Sequence, residues 1–196
     1  VTRLTLLRHG ETDWNRSRRM QGLTDIALNA RGLAQADEAA DLLAHDSFEA
    51  VYSSPLCRAH TTAETVARRH ALAVRVDERL REINVGSWSG LTVEECDEDL
   101  PGWRERLGRG EDFRRSSSGE TAAEVARRAM EVVGEIAERH PDGSVLVVSH
   151  GVFIQQAVAG MLRLDGHGAQ LAILGNIGRA VLTSGPAGWR LSHYGS

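Results

Sequence analysis

No lysine occurs anywhere in this chain of 196 residues, and all 23 basic side chains are arginine. That absence excludes a pyridoxal phosphate Schiff base and a Walker A loop, both of which need the lysine ammonium group. Planar guanidinium forks are left to meet oxyanions. Cysteine is nearly absent too: Cys57 and Cys96 are too few for a disulfide framework, and neither sits in a CxxC pair that would hold zinc or do redox work. Buried free thiols are expected. Long apolar runs are missing, the longest lying at 144–149 and being far too short to cross a bilayer. The first residues lack the apolar stretch of a signal peptide, so a cytoplasmic protein is expected. No Ser/Pro-rich tract, single-sign charge block or internal repeat interrupts the sequence. A net charge of -4 disfavours a broad nucleic-acid surface, so any anion site must be local.

What is present suits one domain that folds throughout, over residues 1–196. Residues 4–8 and 144–149 read as buried strands, with shorter candidates at 48–53 and 74–76 and two late ones at 179–183 and 189–192. Helices fall between them. Leu33, Ala36, Ala40 and Leu43 recur at helical spacing after Asn29, and Ser54-Pro55 offers an N-cap and an N1 proline for a helix reaching about His70. Thr92 with Glu95 and Thr121 with Glu124 have capping-box spacing. The second pair opens a helix with Val125, Ala129, Val132 and Ile136 on one face, stopped by His140-Pro141-Asp142-Gly143. A further helix should run from Gly151 to about Arg163. This alternation predicts an α/β fold of three layers, with a mostly parallel sheet between helices and ligands bound beyond the strand carboxyl ends. The segment 92–118 is polar and glycine-punctuated, and reads as a helical or loop insertion covering the substrate.

Two strand endings stand out. Leu6-Leu7-Arg8-His9-Gly10 and Val148-Ser149-His150-Gly151 each place a histidine and a glycine where a buried strand should stop. The glycine lets another group approach the backbone closely. The other histidines considered have duller positions: His70 and His140 at helix ends, His45 after a helix, His60 within one and His193 near the tail. Arg8 at a strand tip needs an anion or a carboxylate, and Glu11 is the carboxylate at hand. Arg58 lies near a helix start, where it either faces a dianion or is an ordinary surface arginine. Glu82 is either a solvated acid or, in a partly dry pocket, a proton donor with a raised pKa.

Leu7-Arg8-His9-Gly10-Glu11-Thr12 with Trp14-Asn15 closely resembles the opening motif of the histidine phosphatase superfamily, phosphoglycerate mutase-like branch. Arg19-Met20-Gln21-Gly22, Leu28-Asn29 with Gly32, Ser53 to Ala59, Leu80-Arg81-Glu82, Gly119-Glu120-Thr121 and Ser149-His150-Gly151 follow in family order. The resemblance implies that His9 attacks phosphorus and carries a transient phosphohistidine. It surrounds the phosphoryl oxygens with Arg8, Arg58 and His150, completes the pocket with Asn15 and the Gly151 amide, and makes Glu82 the proton donor. Gln21, Gly22 and Asn176 match positions on the substrate side, and Arg19 sits at the rim or in an ion pair on its loop. Glu120 is matched to a more structural role. No metal or cofactor is implied, and the partner is a small phosphomonoester, with a homodimer left open.

Within that family, mutases follow the acid with an Arg-His-Tyr-Gly-Gly type sequence, whereas Glu82 is followed by Ile83-Asn84-Val85-Gly86-Ser87-Trp88. The departure favours hydrolysis. Arg104, Arg106, Arg109, Arg114 and Arg115 keep a mutase open by offering carboxylate contacts from the insertion. Ser17 to Gly22 and Gly86 to Thr92 are similar to the glucosyl-3-phosphoglycerate phosphatase group, and broad-specificity phosphatases fit equally. A non-catalytic phosphometabolite-binding module is the reading from another class.

Overall fold

The computed structural model describes residues 1–196. Six strands form one sheet: β1 (Arg3–Arg8), β2 (Ala50–Ser53), β3 (Val74–Val76), β4 (Ser144–Ser149), β5 (Arg179–Gly185) and β6 (Gly188–Gly195). Their order across the sheet is β3-β2-β4-β1-β5-β6. The first four run parallel, and the β5–β6 hairpin is antiparallel, so the expected mostly parallel sheet is present.

β4 lies inside the sheet and is apolar at four consecutive positions, as a strand covered on both faces must be. Its side chains divide by the strand period of two. Val145 and Val147 pack with Leu4 and Leu6 against α6 (Ala122–Arg139) and α7 (Gly151–Leu162). Leu146 and Val148 pack with Leu7 against α2 (Ala30–Leu42) and α3 (Cys57–Arg69). Three layers follow. The remaining helices are short: α1 (Asp13–Arg16), α4 (Val93–Asp99) and α5 (Trp103–Gly108).

Both capping boxes form, at Thr92 with Glu95 and at Thr121 with Glu124, and the second holds the buried face of α6 in register. Three expectations need correction. The first concerns α3, which starts at Cys57 rather than behind a Ser54 cap. The Ser54 hydroxyl meets His150 and accepts from the Leu56 amide at 3.3 Å, ahead of the helix, while the Asp25 carboxylate, from a different part of the chain, accepts from the Cys57 amide at 2.7 Å. Second, Leu33 lies on the solvent side of α2, 50% exposed, while Ala36, Ala39 and Ala40 are buried. Third, the 92–118 segment is anchored in the core and is more than a polar cover. Cys96, Trp103 and Phe113 are buried in the larger apolar cluster, Trp103 lies 5.3 Å from Trp88 between ring centres, and the Trp88 indole donates to Asp99 at 2.6 Å. Three apolar anchors scattered among charges carry no helical period, which hides them from a periodicity reading.

Both thiols are free, Cys96 buried and Cys57 only partly so. No helix is long and apolar enough to cross a membrane.

Candidate active site

β1, β4 and β2 lie side by side and end at one edge, with Arg8 in register with Ser149 and Val148 with Ser53. The residues that follow these ends therefore meet, and they are His9, His150 and Ser54. The two imidazoles stand edge to face with centroids 5.1 Å apart. Both are buried, at 2% and 0% exposure.

Hydrogen bonds fix what each ring can do. His9 Nδ1 lies 2.7 Å from the Gly10 carbonyl, which can only accept, so the proton sits on Nδ1 and Nε2 keeps its lone pair. Burial, reinforced by the Arg8 and Arg58 charges, holds His9 well below the usual histidine range. His150 Nε2 meets the Ser54 hydroxyl at 2.8 Å, and its Nδ1 is buried with no partner in the protein. Burial, then Arg58, His9 and Arg8, hold His150 down in the same way.

Two guanidiniums complete the cation set. Arg58, 1% exposed on the first turn of α3, donates to the Thr24 carbonyl at 2.8 Å and the Gly22 carbonyl at 2.9 Å. Arg8 donates to the Leu174 carbonyl, and no bond reaches Glu11, whose carboxylate accepts from Asn29 at 2.9 Å instead. The Nε of each is buried and unpartnered. Unsatisfied buried donors cost free energy, so the Nε atoms of Arg8 and Arg58 on this cavity, with the Nδ1 of the adjoining His150, point to an oxyanion as the missing partner.

Glu82 lies in the same cavity, held among backbone amides. Its oxygens accept from the backbone amides of Ile83 at 2.9 Å, Phe153 at 3.1 Å and Val152 at 3.2 Å, the last two in the first turn of α7. Arg128 braces this loop from behind: it donates to the carbonyls of Arg79, Arg81 and Glu82 and pairs with Glu120 at 3.0 Å. The more structural role read for Glu120 is consistent with that contact.

Asn15 and Gln21 line the cavity with their amide oxygens already in use. Asn15 Oδ1 accepts from the Thr12 amide at 3.1 Å, which frees the single hydrogen of the Thr12 hydroxyl for Gln21 Oε1 at 3.0 Å. Gly22 adopts φ +51°, and a Cβ there would come within 2.6 Å of Val85. Gly151 likewise has no room for a side chain, since a Cβ would lie 2.7 Å from Ile173 and 3.5 Å from the Arg8 guanidinium carbon. Arg19 lines the cavity and faces Glu95 of α4 at 3.8 Å. Asn176 does not line the cavity: its amide ties the His9 carbonyl at 3.0 Å to Asn15 at 3.3 Å, a backing position rather than the expected substrate side.

Sequence reading missed Ser54, Arg128 and His167. Ser54 was legible by the rule that found His9 and His150, because it too follows a strand of the parallel set. His167, in a left-handed turn at φ 49°, lines the cavity from a loop with no periodic signal. The cavity as a whole measures about 430 Å³ and reaches from these polar groups to Trp103, Leu107 and Arg115 in the 92–118 segment.

Residues 4–196 match the family model described as "Histidine phosphatase superfamily (branch 1)". This chain belongs to the histidine phosphatase superfamily. The expected family and fold class are therefore borne out. This histidine phosphatase is 38% identical over 196 residues to a glucosyl-3-phosphoglycerate phosphatase of Mycobacterium tuberculosis, covering 95% of this chain and 86% of the relative. It is 33% identical over 159 residues to a probable phosphoglycerate mutase of Escherichia fergusonii, covering 81% and 74%. Among solved structures, a mycobacterial glucosyl-3-phosphoglycerate phosphatase complexed with VO3 superposes with a TM-score of 0.93 at 34% identity, covering all of both chains.

Proposed function

We propose that residues 1–196 act as one phosphatase domain that hydrolyses small phosphorylated metabolites, phosphosugar or phosphoglycerate-type esters with glucosyl-3-phosphoglycerate among the candidates, through a phosphohistidine on His9. The observation that carries this reading is the imidazole whose Nδ1 is tied to Gly10, leaving Nε2 unprotonated beside Arg8, Arg58 and His150. Nε2 attacks phosphorus as the ester oxygen departs with its electron pair, and Glu82 delivers a proton to that oxygen. Water then attacks the phosphohistidine, gives a proton back to Glu82, and inorganic phosphate leaves with His9 restored.

Arg8 and Arg58 hold the charge spread over the phosphoryl oxygens in the transition state. With Ser54 donating to Nε2 of His150, the proton of that ring sits on Nδ1 and is available to the same oxygens. Asn15 and Gln21, whose oxygens are occupied, present their amide N–H groups, and the first amide of α7 at Gly151 joins them. Arg19 binds at the rim. The substrate is a small molecule, since positive charge is concentrated in this cavity while the chain as a whole carries -4.

A mutase is the second reading, favoured by the relative of that name. Against it, Arg106 and Arg109 share Glu111 and Arg114 pairs with Glu124, so three of the insertion's five arginines are tied into ion pairs within the protein. A purely binding module has no use for an unprotonated nucleophile opposite a carboxylate. His9→Ala is expected to abolish phosphate release from p-nitrophenyl phosphate and from 3-phosphoglycerate, and substantial surviving turnover would refute the nucleophile. Conversion of 3-phosphoglycerate to 2-phosphoglycerate faster than phosphate release would favour the mutase.

A further inference from the structure

Eight buried side-chain nitrogen and oxygen atoms of this chain have no hydrogen-bond partner. Three of them, on Arg8, Arg58 and His150, gather at the catalytic site. Three more, Thr5 Oγ1, Arg179 Nε and His193 Nε2, gather around a second cavity of about 230 Å³ that shares no residue with the catalytic one. It lies between β1, β5 and β6 on one side and the chain leaving α2 on the other. Thr5 stands four residues before His9, about 13 Å along an extended strand.

Local structure builds this cavity. The strand period of two sends Leu4, Leu6, Ala180 and Leu182 to the face packed on α6 and α7, so Thr5 and Arg179 fall on the other face. A bulge then re-aims β6: Val181 pairs with His193 but Leu182 with Leu191, which leaves Ser192 as an extra residue. Leu191 and Tyr194 therefore both pack toward the larger apolar cluster, while Ser192 and His193, adjacent in sequence, both reach the cavity. The Ser192 hydroxyl donates to the Val181 carbonyl at 3.1 Å and holds the bulge in place. The charges here are unbalanced. Asp46 is the one carboxylate in the wall, and it faces Arg3 at 3.9 Å, which leaves Arg179 without a counter-ion. Thr5 is 1% exposed, so its hydroxyl is shut off from bulk water. A hydroxyl, a guanidinium Nε–H and an imidazole Nε2–H can each donate, and a ligand that only accepts satisfies all three at once. Small oxyanions have that property, and the unpaired guanidinium supplies the opposite charge.

We propose that this cavity is a second, non-catalytic site for a small oxyanion of the size of inorganic phosphate, held by Thr5, Arg179 and His193 with the half-exposed Arg3 beside them. Bound there, the anion ties β1 to both strands of the β5–β6 hairpin and stabilises that side of the sheet by mass action. The site does not depend on the phosphatase reading, since none of its residues belongs to the catalytic cavity.

The test is an NMR titration of the whole chain with sodium phosphate, observing the Nε–H resonance of Arg179 and the imidazole resonances of His193. They are assigned by their loss in Arg179→Met and His193→Gln. Phosphate should move both sets to saturation with a Kd of about 1 mM or lower, and sodium chloride at the same ionic strength should move neither. Thr5→Val removes the hydroxyl at nearly constant shape and should raise that Kd by about tenfold, the usual worth of a hydrogen bond to a charged group. Arg179→Met should abolish the His193 response and leave turnover of p-nitrophenyl phosphate unchanged; if it does not fold, Thr5→Val carries the test. Phosphate bound at the catalytic site is separated by Arg58→Met, or by Arg8→Met should the first not fold, in which the Arg179 and His193 responses should persist. Resonances that stay still, that follow chloride equally, or that cease to respond when the catalytic arginine is replaced overturn the site, as does an unchanged Kd in Thr5→Val. Lost turnover in folded Arg179→Met would overturn its non-catalytic character. Absence of turnover in the wild type would bear on the catalytic cavity alone.

Discussion

Replacing His9 and His150 together by asparagine should flatten the acid side of the stability curve. Both rings are held neutral in the folded protein, chiefly by burial and then by the neighbouring cations, while in the unfolded chain each titrates near the ordinary 6.5. Below that pH the unfolded chain takes up two protons that the native state refuses, so stability falls as pH falls. Above it both states are neutral and the contribution vanishes. The limiting slope is about 1.36 kcal/mol per pH unit for each histidine, or roughly 2.7 kcal/mol per unit for the pair, for as long as the folded rings remain neutral. Urea unfolding has a slope of about 1–3 kcal/mol per molar for small proteins, so the midpoint should move by about 1 M or more per pH unit in the wild type. Carboxylates contribute in the same direction at lower pH, but equally in both proteins, and cancel in the difference. The measurement is therefore the urea midpoint of wild type and double variant, followed by fluorescence of the four tryptophans between about pH 7.5 and 5.5. A constant offset between the two proteins is immaterial. Parallel pH dependences would refute the neutral, buried pair and with it the unprotonated Nε2 that the mechanism requires.

Arg58→Lys keeps the charge but loses the fork that spans the Gly22 and Thr24 carbonyls, and kcat/KM should fall by about 10²-fold or more; a loss under tenfold would count against a phosphoryl clamp. Arg128→Met strips three carbonyls and the Glu120 carboxylate of their donor, so stability should drop by about 3 kcal/mol in urea unfolding and kcat should fall with little change in KM as the Glu82 loop loosens. Gly32→Ala puts a Cβ 2.0 Å from the Glu11 carbonyl oxygen, a backbone atom that cannot swing aside, so the nucleophile loop must shift away from α2. Its Tm should fall by several degrees, corresponding to roughly 1–3 kcal/mol, and an unchanged Tm would contradict the close approach.

Most of the site was legible because its residues follow strand ends, and strand ends are where hydrophobic patterning changes abruptly. His9, His150 and Gly151 could be placed from the runs Leu4 to Leu7 and Val145 to Val148, and α6 from one capping box and one apolar stripe. What stayed hidden depends on contacts between distant parts of the chain. Asp25 capping α3, Arg128 holding three carbonyls of the Glu82 loop, and Asn176 backing His9 join residues 32, about 48 and 167 positions apart, and no local pattern marks such pairs. Arg115 shows the same limit in sharper form. Five arginines of the insertion look alike in the sequence, and only the ion pairs formed by three of them and the burial of one tell them apart.

The strand-end geometry also explains why this site must cost the fold stability. A parallel sheet brings its carboxyl ends together, and here it brings them together carrying two neutral imidazoles, two guanidiniums bonded only to carbonyls, and buried donors without partners. Each of these would be cheaper as an apolar side chain, because replacing buried charge by packed hydrocarbon is often neutral or stabilising. The apolar clusters on both faces of the sheet supply the excess that tolerates them. The arrangement makes physical sense only if an oxyanion spends part of its time there, satisfying in one step the donors that Arg8, Arg58 and His150 leave open. A phosphoryl group is the oxyanion we propose for that place, and on this proposal the unpaired donors serve its repeated arrival and departure as ester and free phosphate.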